Sequence, residues 1–337
     1  MKKQFVLSWI LAISVACQGS TVFAQNAVNS NWVAQLQNET EEEAAPTDEE
    51  LLEDAAKEAK GKETHFSQIA IEHEISPENY IPVLMYHHFE EGDVAPGNGA
   101  IVSIDEFEDH IIAFQEAGYT FISLEELHEI MQESALEKET EGRKPVEAPE
   151  FELDKKYLCI TIDDGYRSNY ELAFPILQKY QAKADISVIT SRIHTSYVIA
   201  QEIEKLCWKD LNVMQESGLV NIYNHTSNHI KVSEKPLPSF RNAVERGEDM
   251  LNKNLTKRSD IRVLTYPNGD YTFVSQILMR KLGYDLQLTT NYGVVTRNTS
   301  VNEIPRVTVN SGLTGEQVLQ KITAAAERTF YPPEAKR

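Results

Sequence analysis

Short apolar runs that alternate with amphipathic stretches, from Ile81 almost to the end of the chain, leave this sequence few folds to choose from. Strands are expected over 81–89, 118–122, 158–162, 184–190, 219–223, 261–266, 286–290 and 304–309. Helical spacing or helix start signals mark 103–118, 123–131, 170–180, 206–217, 238–254, 272–282 and 314–328. Strictly alternating elements of this kind call for a parallel sheet wrapped by helices. About seven strands suit a closed or nearly closed barrel, so the expected class is α/β, a distorted (β/α)7-type barrel. The charged stretch 133–156, with Pro145 and Pro149, reads as a surface loop inserted before the central strand.

The first residues differ in character. Met1-Lys2-Lys3, the apolar run from Phe5 to Ala16 and the small-residue site at Val22-Phe23-Ala24 match an export signal over 1–24. The apolar run is too short for a comfortable permanent span, so no transmembrane segment is expected in the mature chain. Cys17 after Ser14-Val15-Ala16 offers lipidation as a minor alternative. The stretch 25–76 is polar and then strongly acidic, which predicts a disordered linker. A folded domain over 77–330 and a tail over 331–337 complete the expected organisation. The chain is thus expected to be exported, either secreted or associated with the cell envelope. Only Cys159 and Cys207 remain after cleavage, and two buried thiols are favoured over a bridge. A formal charge of -20 argues against nucleic acid as a partner, because phosphate binding needs concentrated Lys and Arg.

The run 158–166 carries the strongest chemical signal. An apolar strand ends there in two adjacent carboxylates, Asp163 and Asp164, before Gly165. Taken alone, this is an Asp-Gly turn closing a strand. Successive residues of an extended chain point to opposite sides, so the two acids would serve different purposes. His225 and His229 are four apart, a spacing that in one helical turn puts both rings on one face. Thr226 stands where the zinc-protease pattern needs Glu, which removes that reading. With Asp164, the two histidines make a set of two nitrogens and one oxygen that leaves an open position on a zinc-like ion. Asp163 is then free to act as a general base. His87 and His88 end the first strand, as a core residue, a third ligand or a general acid, and strand phase decides which faces inward. The strand end and turn at 265–269 could aim backbone N–H groups at an oxyanion.

ITIDDGY at 160–166, HTSNH at 225–229 and TYPNG at 265–269 together resemble, in order and interval, the first three motifs of the polysaccharide deacetylases, the NodB-homology group of carbohydrate esterase family four. The likeness covers roughly 80–325. VLMYHHF at 83–89 further resembles the branch containing poly-N-acetylglucosamine deacetylases of biofilm exopolysaccharide. That resemblance assigns the catalytic acid to His87, and no histidine follows His229 to replace it. It implies Asp164, His225 and His229 as ligands of one divalent ion, zinc in the first place with cobalt, nickel or iron as alternatives, and Asp163 as base. Asn268 is implied beside the oxyanion. Among the aromatic residues, Tyr166, Trp208 and Tyr271 are candidates to stack on sugar rings or to serve as packing, with Tyr166 placed first because it immediately follows the metal turn. Thr265 stands where many members carry an arginine that steadies the base, and Arg306 resembles a late arginine able to take its place. Ile162 and Asn268 also depart from the residues usual there, which touches the sugar site.

The implied reaction is N-deacetylation of a polysaccharide containing N-acetylglucosamine, with poly-beta-1,6-N-acetylglucosamine as the first candidate and release of acetate. Peptidoglycan, chitin oligomers or acetylated xylan are alternative polymers. A carbohydrate-binding protein with a relic site is the non-catalytic alternative. The expected partner is the polysaccharide, with association at the cell surface.

Overall fold

The computed structural model describes residues 75–140, 151, 153–194 and 204–331. All of them belong to one compact unit, Asp48–Arg337. The expected export signal, Cys17, the acidic linker up to residue 74 and the end of the tail lie outside the described residues. Among the described residues no helix is long and apolar enough to cross a membrane.

In chain order the elements are β1 (Val83–Tyr86), β2 (His88–Glu90), β3 (Ile101–Ser103), α1 (Ile104–Glu116), β4 (Tyr119–Phe121), α2 (Leu124–Thr140), β5 (Lys156–Asp164), α3 (Phe174–Tyr180), β6 (Ala184–Val188), α4 (Trp208–Glu216), β7 (Val220–Asn224), α5 (Leu237–Asn254), β8 (Val263–Thr265), α6 (Phe273–Lys281), β9 (Leu286–Leu288), β10 (Val307–Thr308) and α7 (Gly315–Phe330). Capping explains several boundaries. Ser103 and Glu106 exchange side-chain and backbone hydrogen bonds at the start of α1, and Thr314 and Gln317 do so at α7. A π-helical turn, Asn169–Ala173, leads into α3.

All strands of the main sheet run parallel, in the order β10-β1-β5-β6-β7-β8-β9. The nine-residue β5 is long enough to take three partners, β4 through 156–158, β1 through 159–162 and β6 through 161–164. The ladder is open between β9 and β10. There the approach to β10 leans on β9 instead, through a parallel bridge of Leu288 with Ile304 and the hydrogen bonds Ile304 N–H to Gln287 O (2.9 Å) and Thr289 N–H to Ile304 O (3.0 Å). The result is a distorted, partly open form of the expected barrel.

The pleat sorts side chains into two layers. Leu84, Tyr86, Leu158, Ile160, Ile162, Ile186, Val188, Val220 and Ile222 pack outward with Phe107, Ile111, Phe114, Leu177, Leu211 and Ile322 from the helices. Val83, Cys159, Tyr223, Val263, Leu286 and Leu288 fill the barrel interior with Ile81 and Ile304. Cys159 and Cys207 are both free and buried.

Three local expectations need correction. The first strand breaks at His87 into β1 and β2, and β2 pairs with β3 as a separate two-stranded sheet. The stretch from 133 to 140, expected in a loop, continues α2, since Ala, Leu, Glu and Lys are good helix formers whatever their charge. Residues 225–229 form a tight turn rather than a helical turn, with Thr226 (φ 62°) and His229 (φ 57°) left-handed.

Asp163 is not the sole acid in the interior. Asp185 on β6 is fully buried and accepts hydrogen bonds from Leu124 N–H (2.8 Å) and Asn221 Nδ2 (3.2 Å). Burial nevertheless pushes its carboxyl from 3.8 up to about 7. The folded chain therefore keeps a proton that the unfolded chain releases, and stability from this group falls as pH rises from about 4 through about 7. Asp185→Asn should remove that slope. Urea unfolding of variant and wild type is expected to show the difference moving in the variant's favour between pH 4 and 8, by on the order of 4 kcal/mol.

Candidate active site

The site gathers at the carboxyl ends of β1, β5, β7 and β8. On β5 the inward parity of Cys159 and Thr161 continues to Asp163, which is 2% exposed. Asp164 would point outward on the same pleat, but its backbone turns left-handed (φ 75°) at the last residue of the strand. Gly165 follows in the same region (φ 70°), where a Cβ would meet Val188 Cγ1 at 2.9 Å, so the turn requires glycine. Two neighbouring acids are thus delivered to different places.

Both oxygens of Asp163 are held by Arg306, Nη1 donating to Oδ1 (2.9 Å) and Nη2 to Oδ2 (2.8 Å). Arg306 is 1% exposed and also donates through Nε to Thr289 O (2.8 Å) and through Nη1 to Thr161 Oγ1 (3.1 Å). Burial opposes charge on Asp163, yet Arg306 and the neighbouring histidines outweigh it and hold the carboxyl below its ordinary range. The position of Thr265, where an arginine was noted as usual, instead supplies a hydroxyl bound to Ser187 Oγ (2.7 Å) and a carbonyl to the site.

That carbonyl, Thr265 O, accepts from His225 Nδ1 at 2.8 Å, so the proton sits on Nδ1 and Nε2 is free to ligate. The turn behind it is fixed by Asn224, whose Oδ1 accepts from Thr226 N–H (2.8 Å) and whose Nδ2 donates to Val244 O (2.9 Å). His225 Nε2 and His229 Nε2 stand 3.4 and 3.6 Å from Asp164 Oδ1. The three ligand atoms lie within 4.8 Å of one another. Donor atoms each about 2 Å from a tetrahedral zinc stand roughly 3.3 Å apart, close to the separation of each histidine nitrogen from Asp164 Oδ1, so the set suits such an ion. Asp164 Oδ1 is buried and has no hydrogen-bond partner in the described residues, a need that a cation would satisfy. Burial, with His225 beside it, brings His229 down to about 4, which keeps its ring unprotonated at neutral pH.

Strand phase settles which terminal histidine faces the acids. Tyr86 turns outward, its hydroxyl 3.2 Å from His110 Nδ1, so His87 turns inward. Burial lowers His87, while the charges of Asp163 and Asp164 pull it the other way; its Nδ1 is buried without a partner in the described residues. His88 is engaged elsewhere, with Ser168 Oγ (2.7 Å) on Nδ1. Asn268 is exposed and left-handed (φ 57°) in the turn after β8. The N–H groups of Gly269 and Asp270 close that turn onto Tyr266 O and Pro267 O.

The expected aromatic contacts fare differently. Tyr166 spends its hydroxyl on Asp164 Oδ2 (2.9 Å), and Lys205 Nζ lies over its ring. Trp208 is packed into the outer core. Tyr271 donates to Glu303 Oε1 (2.6 Å). Lys205 itself escaped sequence reading; a lone lysine ahead of Leu206-Cys207-Trp208 was its only trace. Its ammonium is buried 3.9 Å from Asp164 Oδ2, and burial brings it down to about 8.

The polysaccharide deacetylase family model matches residues 151–287, the span that carries both acids and both histidines. Over that span the chain resembles the NodB-homology polysaccharide deacetylases of carbohydrate esterase family four. Its fold is the catalytic fold of that family, and its donor set suits hydrolysis of an amide bond. Over 165 residues it is 28% identical to the poly-beta-1,6-N-acetyl-D-glucosamine N-deacetylase of Staphylococcus epidermidis, covering 47% of this chain and 56% of that protein. The Streptococcus pyogenes deacetylase PplD, solved in complex with acetate, superposes with a TM-score of 0.58 at 25% identity, over 72% of this chain and 98% of that one. IcaB from Ammonifex degensii shares the fold at a TM-score of 0.57 and 23% identity, over 72% and 97%.

Truncating Arg306 would leave a buried carboxylate without its cation. Arg306→Met is therefore expected to lower the unfolding free energy by about 3–5 kcal/mol at pH 7. The loss should shrink as pH falls towards 4, because Asp163 without its arginine takes up a proton more readily; urea denaturation at the two pH values checks both.

Proposed function

We propose that this chain removes N-acetyl groups from a polysaccharide containing N-acetylglucosamine, with poly-beta-1,6-N-acetylglucosamine as its preferred polymer. The observation that carries the reading is the convergence of Asp164, His225 and His229 on one point beside an arginine-clamped Asp163. The choice of polymer draws support from the Staphylococcus epidermidis relative and from His87 on the inward face at the end of β1.

A divalent ion held by Asp164, His225 and His229, zinc in the first place, would supply Lewis acidity, making a water more acidic and polarising the amide carbonyl. Asp163 accepts a proton from the attacking water. It is suited to this because it stays ionised and immobile, and each carboxylate oxygen keeps a lone pair beyond the one its arginine uses. The backbone N–H at Asn268 faces the developing oxyanion. His87 hands a proton to the departing nitrogen as the C–N bond breaks, giving acetate and a free glucosamine unit. Thr265 and Arg306 hold the two players still, one through His225 and the other through Asp163. In the same reading residues 1–24 direct export, 25–76 tether a catalytic domain spanning 77–330, and the protein works at or outside the cell envelope.

Acetate release from poly-beta-1,6-N-acetylglucosamine should be detectable with purified protein, vanish on dialysis against a chelator and return with zinc. Peptidoglycan, chitin oligomers and acetylated xylan, assayed alongside, should release less; equal release from any of them would displace the preferred polymer. Asp163→Asn should cut turnover by about 10²-fold or more while the protein still binds one equivalent of zinc. Retained acetate release in this variant would overturn the assignment of the base.

A further inference from the structure

The two oxygens of Asp164 have opposite surroundings. Oδ1 is without a hydrogen-bond partner among the described residues and faces Nε2 of His225 and of His229. Oδ2 accepts from the Tyr166 hydroxyl at 2.9 Å and has Lys205 Nζ at 3.9 Å.

Lys205 is brought there by the backbone. It forms an antiparallel bridge with Tyr166, flanked by Arg167 N–H to Glu204 O (2.9 Å) and Leu206 N–H to Gly165 O (3.0 Å). The lysine is therefore pinned to the turn that carries Asp164. Its side chain is 6% exposed, its ammonium lies 3.1 Å from the centroid of the Tyr166 ring, and no acceptor within the described residues hydrogen-bonds it. A buried ammonium in this state is unfavourable unless a nearby negative charge compensates it. Here the compensating charge is Asp164.

We propose that Lys205 is a positioning residue for the metal site: its charge, beside the Tyr166 hydroxyl that bonds Oδ2 of Asp164, commits that carboxylate to ligation through Oδ1 alone. This rests on the reading that the triad holds a divalent ion. A carboxylate with both oxygens free can ligate through both and fill a position that water or substrate needs. Arg306 does the complementary thing to Asp163, engaging both its oxygens. Two adjacent acids are thereby sorted into ligand and base by the cations behind them.

Metal-free protein is titrated with zinc against a chromophoric chelator, and with cobalt(II) read by its visible absorption, for wild type, Lys205→Met, Lys205→Arg and Tyr166→Phe, with circular dichroism as the check on folding. Lys205→Met should bind zinc about tenfold more tightly, because a cation near the ligand carboxylate is gone. Its cobalt bands should weaken towards those of higher coordination, and kcat should fall with KM little changed. Lys205→Arg should restore the wild-type spectrum. Tyr166→Phe, which deletes one hydroxyl, should shift the cobalt spectrum in the same direction and serves alone if Lys205→Met does not fold. Weaker zinc binding with an unaltered cobalt spectrum would mark Lys205 as merely structural and overturn the proposal, as would a variant indistinguishable from wild type. Wild-type protein that binds no metal would overturn the metal reading itself, along with this inference.

Discussion

A guanidinium sealed inside the barrel holds the site and the fold together. Arg306 enters from the segment that closes the gap between β9 and β10, and its head group ends on Asp163 at the tip of the central strand. Its Nε donates to Thr289 just past β9, so one side chain ties both margins of the open sheet to β5. Neither charge could stay buried alone. The same bond that repays the desolvation of Asp163 also fixes its orientation and keeps it ionised. Closure of the barrel and readiness of the acid are therefore one interaction seen from two sides.

The second constraint is the pleat. Inward parity carries Thr161 to Asp163 on β5, Val83 and Met85 to His87 after β1, and Tyr223 to His225 after β7. Side chains from separate strands meet because they share a face at the same end of a parallel sheet. Asp164 breaks parity, and only its left-handed backbone returns it to the histidines. Strain of this sort is tolerated where neighbours hold it in place, here Gly165 packed on Val188 and Tyr166 bonded to the carboxylate itself. The His225–His229 turn is supported in a similar way, by Asn224 and the close approach of Gly247 on α5 to that side chain.

Much of this was readable beforehand. Capping pairs such as Ser103 with Glu106 and Thr314 with Gln317 announce helix starts because both partners are local. The acids and histidines at strand ends stand out because polar groups that close an apolar strand invite a reason. The misreadings also have local causes. High charge hid the continuation of α2 to Thr140, although its residues favour helix. A spacing of four suggested a helical turn at 225–229, where positive φ angles at Thr226 and His229 produce the same convergence by another route.

The order of strands and helices, and the residue types able to ligate a metal and move a proton, follow from the sequence by itself, since periodicity, capping and side-chain chemistry are properties of neighbours along the chain. The inward turn of His87 and the seating of Arg306 on Asp163 across 143 residues, which only the family resemblance implied, and the approach of Lys205 to Asp164, which nothing implied, were decided by the tertiary structure. Those contacts depend on strand phase, on a left-handed backbone at the end of β5, and on loops meeting in space. None of these leaves a mark in the local order of amino acids.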